Sequence, residues 1–399
     1  MSAGVVIIGT GQAGVEAASA LRAQGYDEPI LLIGEENDLP YQRPPLSKEY
    51  LLGKLDAARL PLRAEAFYEK HRIDVLTGQR VTVAGAEMKR IRMKSGGVIP
   101  YDFLIFATGA RNRTLAVRGS ERALYLRTKE EADAIRERLA AAGSVVVIGG
   151  GFIGLELAAA ASLQGKQVAV IEAAPRLMAR AVSPVLSDFF RDVHRQAGVE
   201  IVLGKGVEEI ESDAVRLTDG TRLGADVVLA GIGVTPNLEL AQDAGLAVGN
   251  GIAVDELLCT SDPAIFAVGD CAEFPSVFAG GRVRLESVQN AVDQAKCVAR
   301  SITGKPAPYR DVPWFWTDQF DIRFQMAGLS GGYDRVALRG APESRKFSAF
   351  YFRAGRLIAA DSVNRAGDHI AVRKLLAAGA TIAPEEAADE SFDLKRAAV

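Results

Sequence analysis

The chain has 399 residues, 48% of them apolar and 24% charged, with a formal net charge of −3 at pH 7. That length suits two or three domains with sizeable cores, and so small a net charge leaves no electrostatic footprint for nucleic acid or an anionic membrane. No N-terminal targeting segment and no membrane-length apolar stretch is legible, which predicts a cytoplasmic protein.

The first element is the strand Val5 to Ile8, which runs into Gly9-Thr10-Gly11-Gln12-Ala13-Gly14 and an Ala/Leu-rich helix. A second strand, Ile30 to Ile33, leads to Glu35. This is the layout of a dinucleotide-binding unit. Its first glycine permits the tight turn and its second lets backbone approach a pyrophosphate. The third lets the helix pack close to the strand, and the helix N-terminus faces the phosphate charge. Glu35 is placed to accept hydrogen bonds from a ribose. From Leu39 to about Phe67 the chain is rich in proline and charge and ends in a helical pattern, and short strands follow near Val75, Val81 and Ile91. Tyr101 to Phe106 reads as a buried strand delivering the small turn Ala107-Thr108-Gly109, a further place for backbone to approach a cofactor.

Thr128 to Ala142 reads as a helix leading into a second fingerprint. There Val145 to Ile148 runs into Gly149-Gly150-Gly151-Phe152-Ile153-Gly154, and Val168 to Ile171 ends at Glu172. One such glycine pattern is a weak signal. Two, each with an acidic residue about 20 positions past its last glycine, point to two dinucleotides and to electrons passing between them. Ala225 to Ala230 is a strand followed by the turn Gly231 to Asn237, so the halves repeat one plan. A strand and turn at Ile265 to Cys271 and a helix over Val288 to Ile302 return the chain to the first domain. From about Pro306 the texture becomes alternating and aromatic. Trp314-Phe315-Trp316, Phe320 to Met326, Lys346 to Phe352 and Leu357 to Asp361 predict an antiparallel sheet, closed by a helix from about Asp368 to Ala378.

The fold class is therefore α/β: two Rossmann-like dinucleotide-binding domains plus a C-terminal α+β domain with an antiparallel sheet. The expected boundaries are 1–110 with 232–307 for the first, discontinuous domain, 111–231 for the second and 308–399 for the third. Cys259, Cys271 and Cys297 form no Cys-x-x-Cys pair or metal-ligand spacing and read as small buried hydrophobes. His71, His194 and His369 belong to no such cluster, so no metal site is expected and they read as surface or structural histidines.

With Gly9, Gly149, Ala107-Thr108-Gly109 and Gly269-Asp270 in place, the chain resembles flavoprotein reductases that carry two dinucleotide domains in a glutathione-reductase-like arrangement. Three segments narrow the resemblance: Pro40-Tyr41-Gln42-Arg43-Pro44-Pro45-Leu46-Ser47-Lys48, Trp314-Phe315-Trp316-Thr317-Asp318-Gln319 and Ser362-Val363-Asn364-Arg365. They are similar to the NADH-dependent ferredoxin reductases of the putidaredoxin reductase type, which serve bacterial cytochrome P450s and aromatic-ring oxygenases. The resemblance covers essentially the whole chain. It implies FAD on the first fingerprint, NADH on the second, and a monomer.

On the FAD side the resemblance implies that Gly9, Gly11, Ala13 and Gly14 face the pyrophosphate, Glu35 the adenosine ribose, and Val81 the adenine side through backbone. Arg43, Ala107, Thr108, Gly109, Gly269 and Glu286 would also contact FAD, Asp270 would hold ribityl or pyrophosphate oxygens, and Arg127 would lie near the flavin. Val288, opening a helix, would present backbone N–H to the pyrimidine edge. Lys48 would lie beside the isoalloxazine and Trp316 would wall its pocket. On the NADH side it implies Gly149, Gly151, Phe152, Ile153, Gly154, Glu156, Glu172, Arg180 and Gly233.

A flavin accepts a hydride and releases electrons singly. The expected reaction is therefore hydride transfer from NADH to FAD, then two one-electron transfers to a [2Fe–2S] ferredoxin supplying a cytochrome P450 or ring-hydroxylating oxygenase. Lys48 and Glu156 are the polar residues expected nearest that event. Two readings of Glu156 stay open: a carboxylate favoured by its helix dipole whatever the function, or the partner of Lys48 in a poorly hydrated cleft, steadying charge on the flavin. Glu172 binds a 2′-hydroxyl and repels a phosphate, which favours NADH over NADPH. Arg176 and Arg180 follow it, as acceptors of a phosphate, as surface charge, or as contacts to the NADH pyrophosphate.

Residues 1–258 contain no cysteine, which excludes a thiol relay after the first fingerprint. For a partner, Arg310, Arg323, Arg335, Arg339, Arg345, Lys346, Arg353 and Arg356 offer an acidic ferredoxin a positive rim. The interleaved Asp311, Asp318, Asp321, Asp334 and Glu343 equally describe an ordinary solvated sheet face. Trp314 and Trp316 alternate along one strand, as core packing or with Trp316 at the flavin. Two other functions stay open: a rubredoxin reductase or NADH oxidase on the same fold, and a binding or signalling flavoprotein of the apoptosis-inducing-factor kind.

Overall fold

A computed structural model of the chain describes residues 3–397. They form two compact units that alternate along the sequence: residues up to 42, 60–111 and 236–315 in one, and 43–59, 112–235 and those from 316 on in the other.

In the first unit, short runs that are apolar along their whole length pair in parallel, because both faces of such a sheet are covered. The sheet order is Ile265–Ala267, Phe103–Phe106, Val5–Ile8, Ile30–Ile33, Ile73–Leu76, with Val5 opposite both Ile30 and Phe103. The helix Gln12–Ala23 leaves the fingerprint and buries Val15, Ala17, Ala18 and Leu21. Against it packs the helix Val288–Ile302, capped by the Ser287 hydroxyl, which accepts from the Asn290 backbone N–H at 3.1 Å. A small antiparallel sheet of Val81–Gly85, Arg90–Met93 and Val98–Pro100 completes the plan.

The second unit repeats that plan. Its parallel sheet runs Glu200–Leu203, Gln167–Glu172, Ser144–Ile148, Val227–Ala230, Ala123–Tyr125, and its small antiparallel sheet is Val207–Ile210, Ala214–Leu217 and Arg222–Gly224. The helix Lys129–Ala141 starts where the sequence says it should, because Thr128 and Glu131 form a reciprocal capping box. One difference separates the two sheets. Ala123–Tyr125 precedes its fingerprint, whereas Ile265–Ala267 reaches the first sheet only after the second sheet has been built.

The aromatic region forms an antiparallel sheet in the order Trp314–Gln319, Ile322–Gly328, Arg356–Val363, Lys346–Arg353, Arg335–Ala341, followed by the helix Ala366–Ala378. By packing, the chain divides into two bodies where the sequence suggests three. Phe347 and Phe324 meet Phe189 and Phe190 of the helix Pro184–Gln196, with ring centroids 5.1 and 5.3 Å apart, so this sheet shares a core with the second nucleotide unit. Residues 43–59 also pack with the second unit, although the sequence places them in the first domain. The Tyr50 hydroxyl donates to Asp133 at 2.6 Å and the Gln164 amide donates to the Leu51 carbonyl at 3.3 Å. Among the described residues no helix is long and apolar enough to cross a membrane.

Candidate active site

The glycines show where a ligand fits. A Cβ on Gly9 would sit 2.1 Å from the Ala107 carbonyl oxygen, and one on Gly14 would sit 2.0 Å from the Gly9 carbonyl oxygen. Around Gly11, by contrast, nothing lies within 4 Å. The second loop repeats this arrangement: Gly149 would meet the Gly231 oxygen at 2.5 Å and Gly154 the Gly149 oxygen at 2.0 Å, while Gly151 has a single atom at 4.0 Å. In both loops the outer glycines are filled by the protein's own backbone and the middle one faces open space. Gly9 and Gly149, at φ 120° and 107°, occupy backbone conformations that a side chain resists. Each loop therefore fits the phosphates of a dinucleotide at the N-terminus of its helix.

In the first unit the Gly269-Asp270 turn is seated on the first fingerprint. A Cβ on Gly269 would lie 3.0 Å from that of Ala13, and the Gly269 N–H donates to Gln294 Oε1 at 2.7 Å. Ala107-Thr108-Gly109 is fixed by Asn237, whose side-chain amide donates to the Thr108 carbonyl at 2.8 Å and whose N–H donates to Gly109 at 3.0 Å. Glu35 is exposed and paired with Arg80 at 2.9 Å. Val81 is buried at the start of its strand. Glu286 pairs with Arg284 at 2.7 Å, and Val288 is the first residue of its helix.

In the second unit Lys48 and Glu156 do meet. The 3₁₀ turn Pro44–Ser47, with proline at its start, ends at Lys48. The helix Phe152–Leu163 carries Glu156 in its first turns, 3% exposed among leucines and alanines. Lys48 Nζ lies 2.8 Å from Glu156 Oε1. A buried carboxylate persists only with its lone pairs satisfied, and two hydroxyls supply this: Ser47 donates to Oε2 at 2.5 Å and Thr317 donates to Oε1 at 2.5 Å. Arg43 and Arg127 are also brought together, the Arg43 guanidinium donating to the Arg127 carbonyl at 2.5 Å. The half-buried Phe152 stacks with Phe324 at 6.4 Å between centroids, and Ile153 is exposed.

Glu172 is engaged by its own loop: its carboxylate accepts from Gly150 N–H at 2.8 Å and from Ala174 N–H at 2.7 Å. Arg180 lies near Gly233, whose Cβ would be 3.8 Å from the guanidinium. Arg176 is half-buried and turned toward its own loop. Its guanidinium donates to the Val182 and Ala179 carbonyls at 2.7 and 2.6 Å and to the Ser187 hydroxyl at 2.8 Å, so its donors serve the loop itself.

Sequence reasoning missed four residues. Ser47 and Thr317 lie in the Pro-Pro-Leu-Ser-Lys and Trp-Thr-Asp-Gln segments, and Gln319 and His194 extend the contacts of Thr317. Trp314 and Trp316 are only half-buried; the alternate positions Thr317 and Gln319 carry the buried face of that strand. Polar residues two apart in an aromatic strand were the available signal. Cys271 and Cys297 are buried and Cys259 partly so. Burial pushes the Cys259 and Cys297 thiols up to about 11, so neither is poised to react. The basic rim is also thinner than the sequence implies. Arg339 is buried and donates to the carbonyls of Asp389, Glu390 and Phe392, Arg335 pairs with Glu385 at 2.7 Å and Arg345 with Asp321 at 2.8 Å. Arg310, Arg323, Lys346, Arg353 and Arg356 remain exposed.

Comparison with known proteins agrees with this geometry. Residues 3–295 match the family described as pyridine nucleotide-disulphide oxidoreductase, and residues 314–398 match the family described as reductase C-terminal. The chain is 48% identical to rhodocoxin reductase of Rhodococcus erythropolis, covering 98% of this chain and 94% of that protein. It is 43% identical to putidaredoxin reductase CamA of Pseudomonas putida, with 98% and 96% covered. Its fold superposes with a TM-score of 0.97 on the ferredoxin reductase for the CYP199A2 system from Rhodopseudomonas palustris, at 47% identity and with 99% of each chain covered.

Proposed function

Since the chain belongs to the pyridine nucleotide-disulphide oxidoreductase family, we propose that it is an FAD-dependent NADH:ferredoxin oxidoreductase delivering electrons to a [2Fe–2S] ferredoxin of a cytochrome P450 or ring-hydroxylating oxygenase system. The observation that carries this reading is the pair of glycine loops, each with its middle glycine facing open space, in a chain without cysteine before Cys259. Two dinucleotides are accommodated and no thiol stands ready to take electrons from either. The disulfide chemistry in the family's name has no place here. The names of the relatives supply the acceptor class, and a cytoplasmic setting completes the reading.

FAD, when bound, supplies hydride acceptance and one-electron release. The protein's part is to hold phosphates and fix charge. Gly11 and Gly151 open their loops to a pyrophosphate. Glu172, with both oxygens pinned by backbone N–H groups, presents a fixed negative charge where a 2′-phosphate would sit, and so selects NADH. Lys48, 14% exposed in its side chain and tied to Glu156, keeps a weakly hydrated positive charge at a set position. Such a preoriented charge lowers the barrier where negative charge develops. Lys48→Met should slow NADH-driven flavin reduction about tenfold or more; an unaltered rate removes that role.

The test is NADH-driven cytochrome c reduction by FAD-loaded protein, with and without a [2Fe–2S] ferredoxin. Strong stimulation by ferredoxin is expected. Oxygen consumption at the same rate without ferredoxin points to an oxidase, and purified protein that takes up no FAD ends the proposal.

A further inference from the structure

Glu156 is the end of a chain of side chains whose directions are all determined. An ionised carboxylate only accepts, so the Thr317 hydroxyl, 2.5 Å from Oε1, must donate to it. The Thr317 oxygen is then left to accept, and the Gln319 amide nitrogen, 3.3 Å away, donates to it. That turns the amide oxygen of Gln319 toward His194 Nε2 at 2.9 Å. A carbonyl oxygen accepts, so Nε2 must carry the proton. Nδ1 is accordingly the unprotonated nitrogen, and it has no hydrogen-bond partner among the described residues. His194 is fully buried in the helix Pro184–Gln196, its ring against Phe320 at 5.0 Å. Burial holds its pKa below the usual histidine value, so it remains neutral around pH 7. Ser47 closes the other side of the carboxylate, at 2.5 Å from Oε2.

We propose that His194, Gln319, Thr317 and Ser47 are positioning residues: a one-directional run of donors from His194 to Thr317, rooted in the core, and Ser47 on the other carboxylate oxygen together hold Glu156 in the orientation in which it grips Lys48. This rests on the reading of Lys48 and Glu156 as the polar pair of the hydride step. Along the run from His194 to Thr317 each donor serves one acceptor, so no link there can rotate without leaving a buried polar atom unpaired. The Trp-Thr-Asp-Gln segment thereby gains a purpose in its second and fourth residues. Without the chain Glu156 would keep Ser47 and Lys48 but lose the contact that selects which oxygen faces the lysine.

Two measurements test this. The first needs no catalysis: nitrogen-15 NMR of histidine-labelled wild-type protein, with and without FAD, the His194 signals being assigned against His194→Phe. A proton on Nε2 and a bare Nδ1 are expected, and a proton on Nδ1 overturns the chain. The second is stopped-flow reduction of FAD-loaded protein by NADH. Thr317→Val, which keeps shape and loses the hydroxyl, should reduce about tenfold more slowly, and Thr317→Ser should return to within about twofold of wild type. A Val variant as fast as wild type, or a Ser variant as slow as Val, overturns the proposal. If Thr317→Val does not fold, the tautomer decides. Wild-type protein that NADH does not reduce refutes the hydride reading, while the NMR result still judges the chain.

Discussion

Asp361 lies on the strand Arg356–Val363 with 1% of its surface exposed. Its Oδ2 is 2.6 Å from the Tyr351 hydroxyl, which also lies 2.9 Å from the Ser183 hydroxyl. Burial, opposed only by the Tyr351 hydrogen bond, pushes this carboxyl up to about 7. In an unfolded chain it titrates near 3.9. Between those values the folded protein keeps a proton that the unfolded chain has released. Stability therefore falls as pH rises, by about 1.4 kcal/mol per unit, and levels off above about pH 7. The whole span sets a ceiling of about 4 kcal/mol. Asp361→Asn keeps the shape and cannot ionise, so it should lack this slope. Thermal melts of both proteins at about pH 5 and about pH 8 read the effect, since every other titration is common to the two. The melting temperature of the variant relative to wild type should rise by roughly 3–5 °C between those conditions. Parallel curves would refute the claim that a carboxyl held by a neutral hydroxyl, and by no cation among the described residues, is buried there.

The glycine loops give a contrasting pair. Gly11→Ala, with nothing within 4 Å of its new methyl group, should melt near wild type yet lose FAD affinity about tenfold, measured by flavin titration of apoprotein. Gly14→Ala, whose Cβ would lie 2.0 Å from the Gly9 oxygen, should lose several kcal/mol of stability, about 3 or more, in denaturant titration. If Glu172 selects the coenzyme as proposed, Glu172→Gln should raise the NADPH-to-NADH ratio of kcat/KM about tenfold, because a neutral amide does not repel a 2′-phosphate. Arg339→Met should cost about 3 kcal/mol and leave the salt dependence of ferredoxin turnover unchanged, because its donors hold the carbonyls of Asp389, Glu390 and Phe392. Arg353→Ala, at an exposed position, should flatten that dependence if the remaining basic residues steer the partner.

What the sequence made legible was local. Each glycine fingerprint is a turn whose requirements lie within a few residues, and the helix Val288–Ile302 and the Thr128 cap were readable for the same reason. The edge strand Arg335–Ala341 was not. Its alternate positions carry Arg335 and Arg339, and arginine on a strand reads as solvent-facing until the carbonyls that absorb it are known. Arg176 misled in the same way, since its partners are backbone oxygens that leave no mark on composition. The pairing of Lys48 with Glu156 was one of two readings left open, and the hydroxyls that complete the carboxylate were missed. Thr317 meets Glu156 across a separation of 161 residues, and which face of an aromatic strand is covered depends on such distant neighbours.

The late arrival of Ile265–Ala267 has a consequence for how the molecule is made. As the ribosome extends the chain, the first sheet lacks its outer strand until residue 267 has emerged, and the other unit waits for residues beyond 316. The first body is completed only after most of the second has been made, and the second only after the first has all its residues. Folding must then be largely post-translational and governed by contacts far apart in the chain. A stop within residues 236–315 should leave both bodies incomplete and send the product to proteolysis.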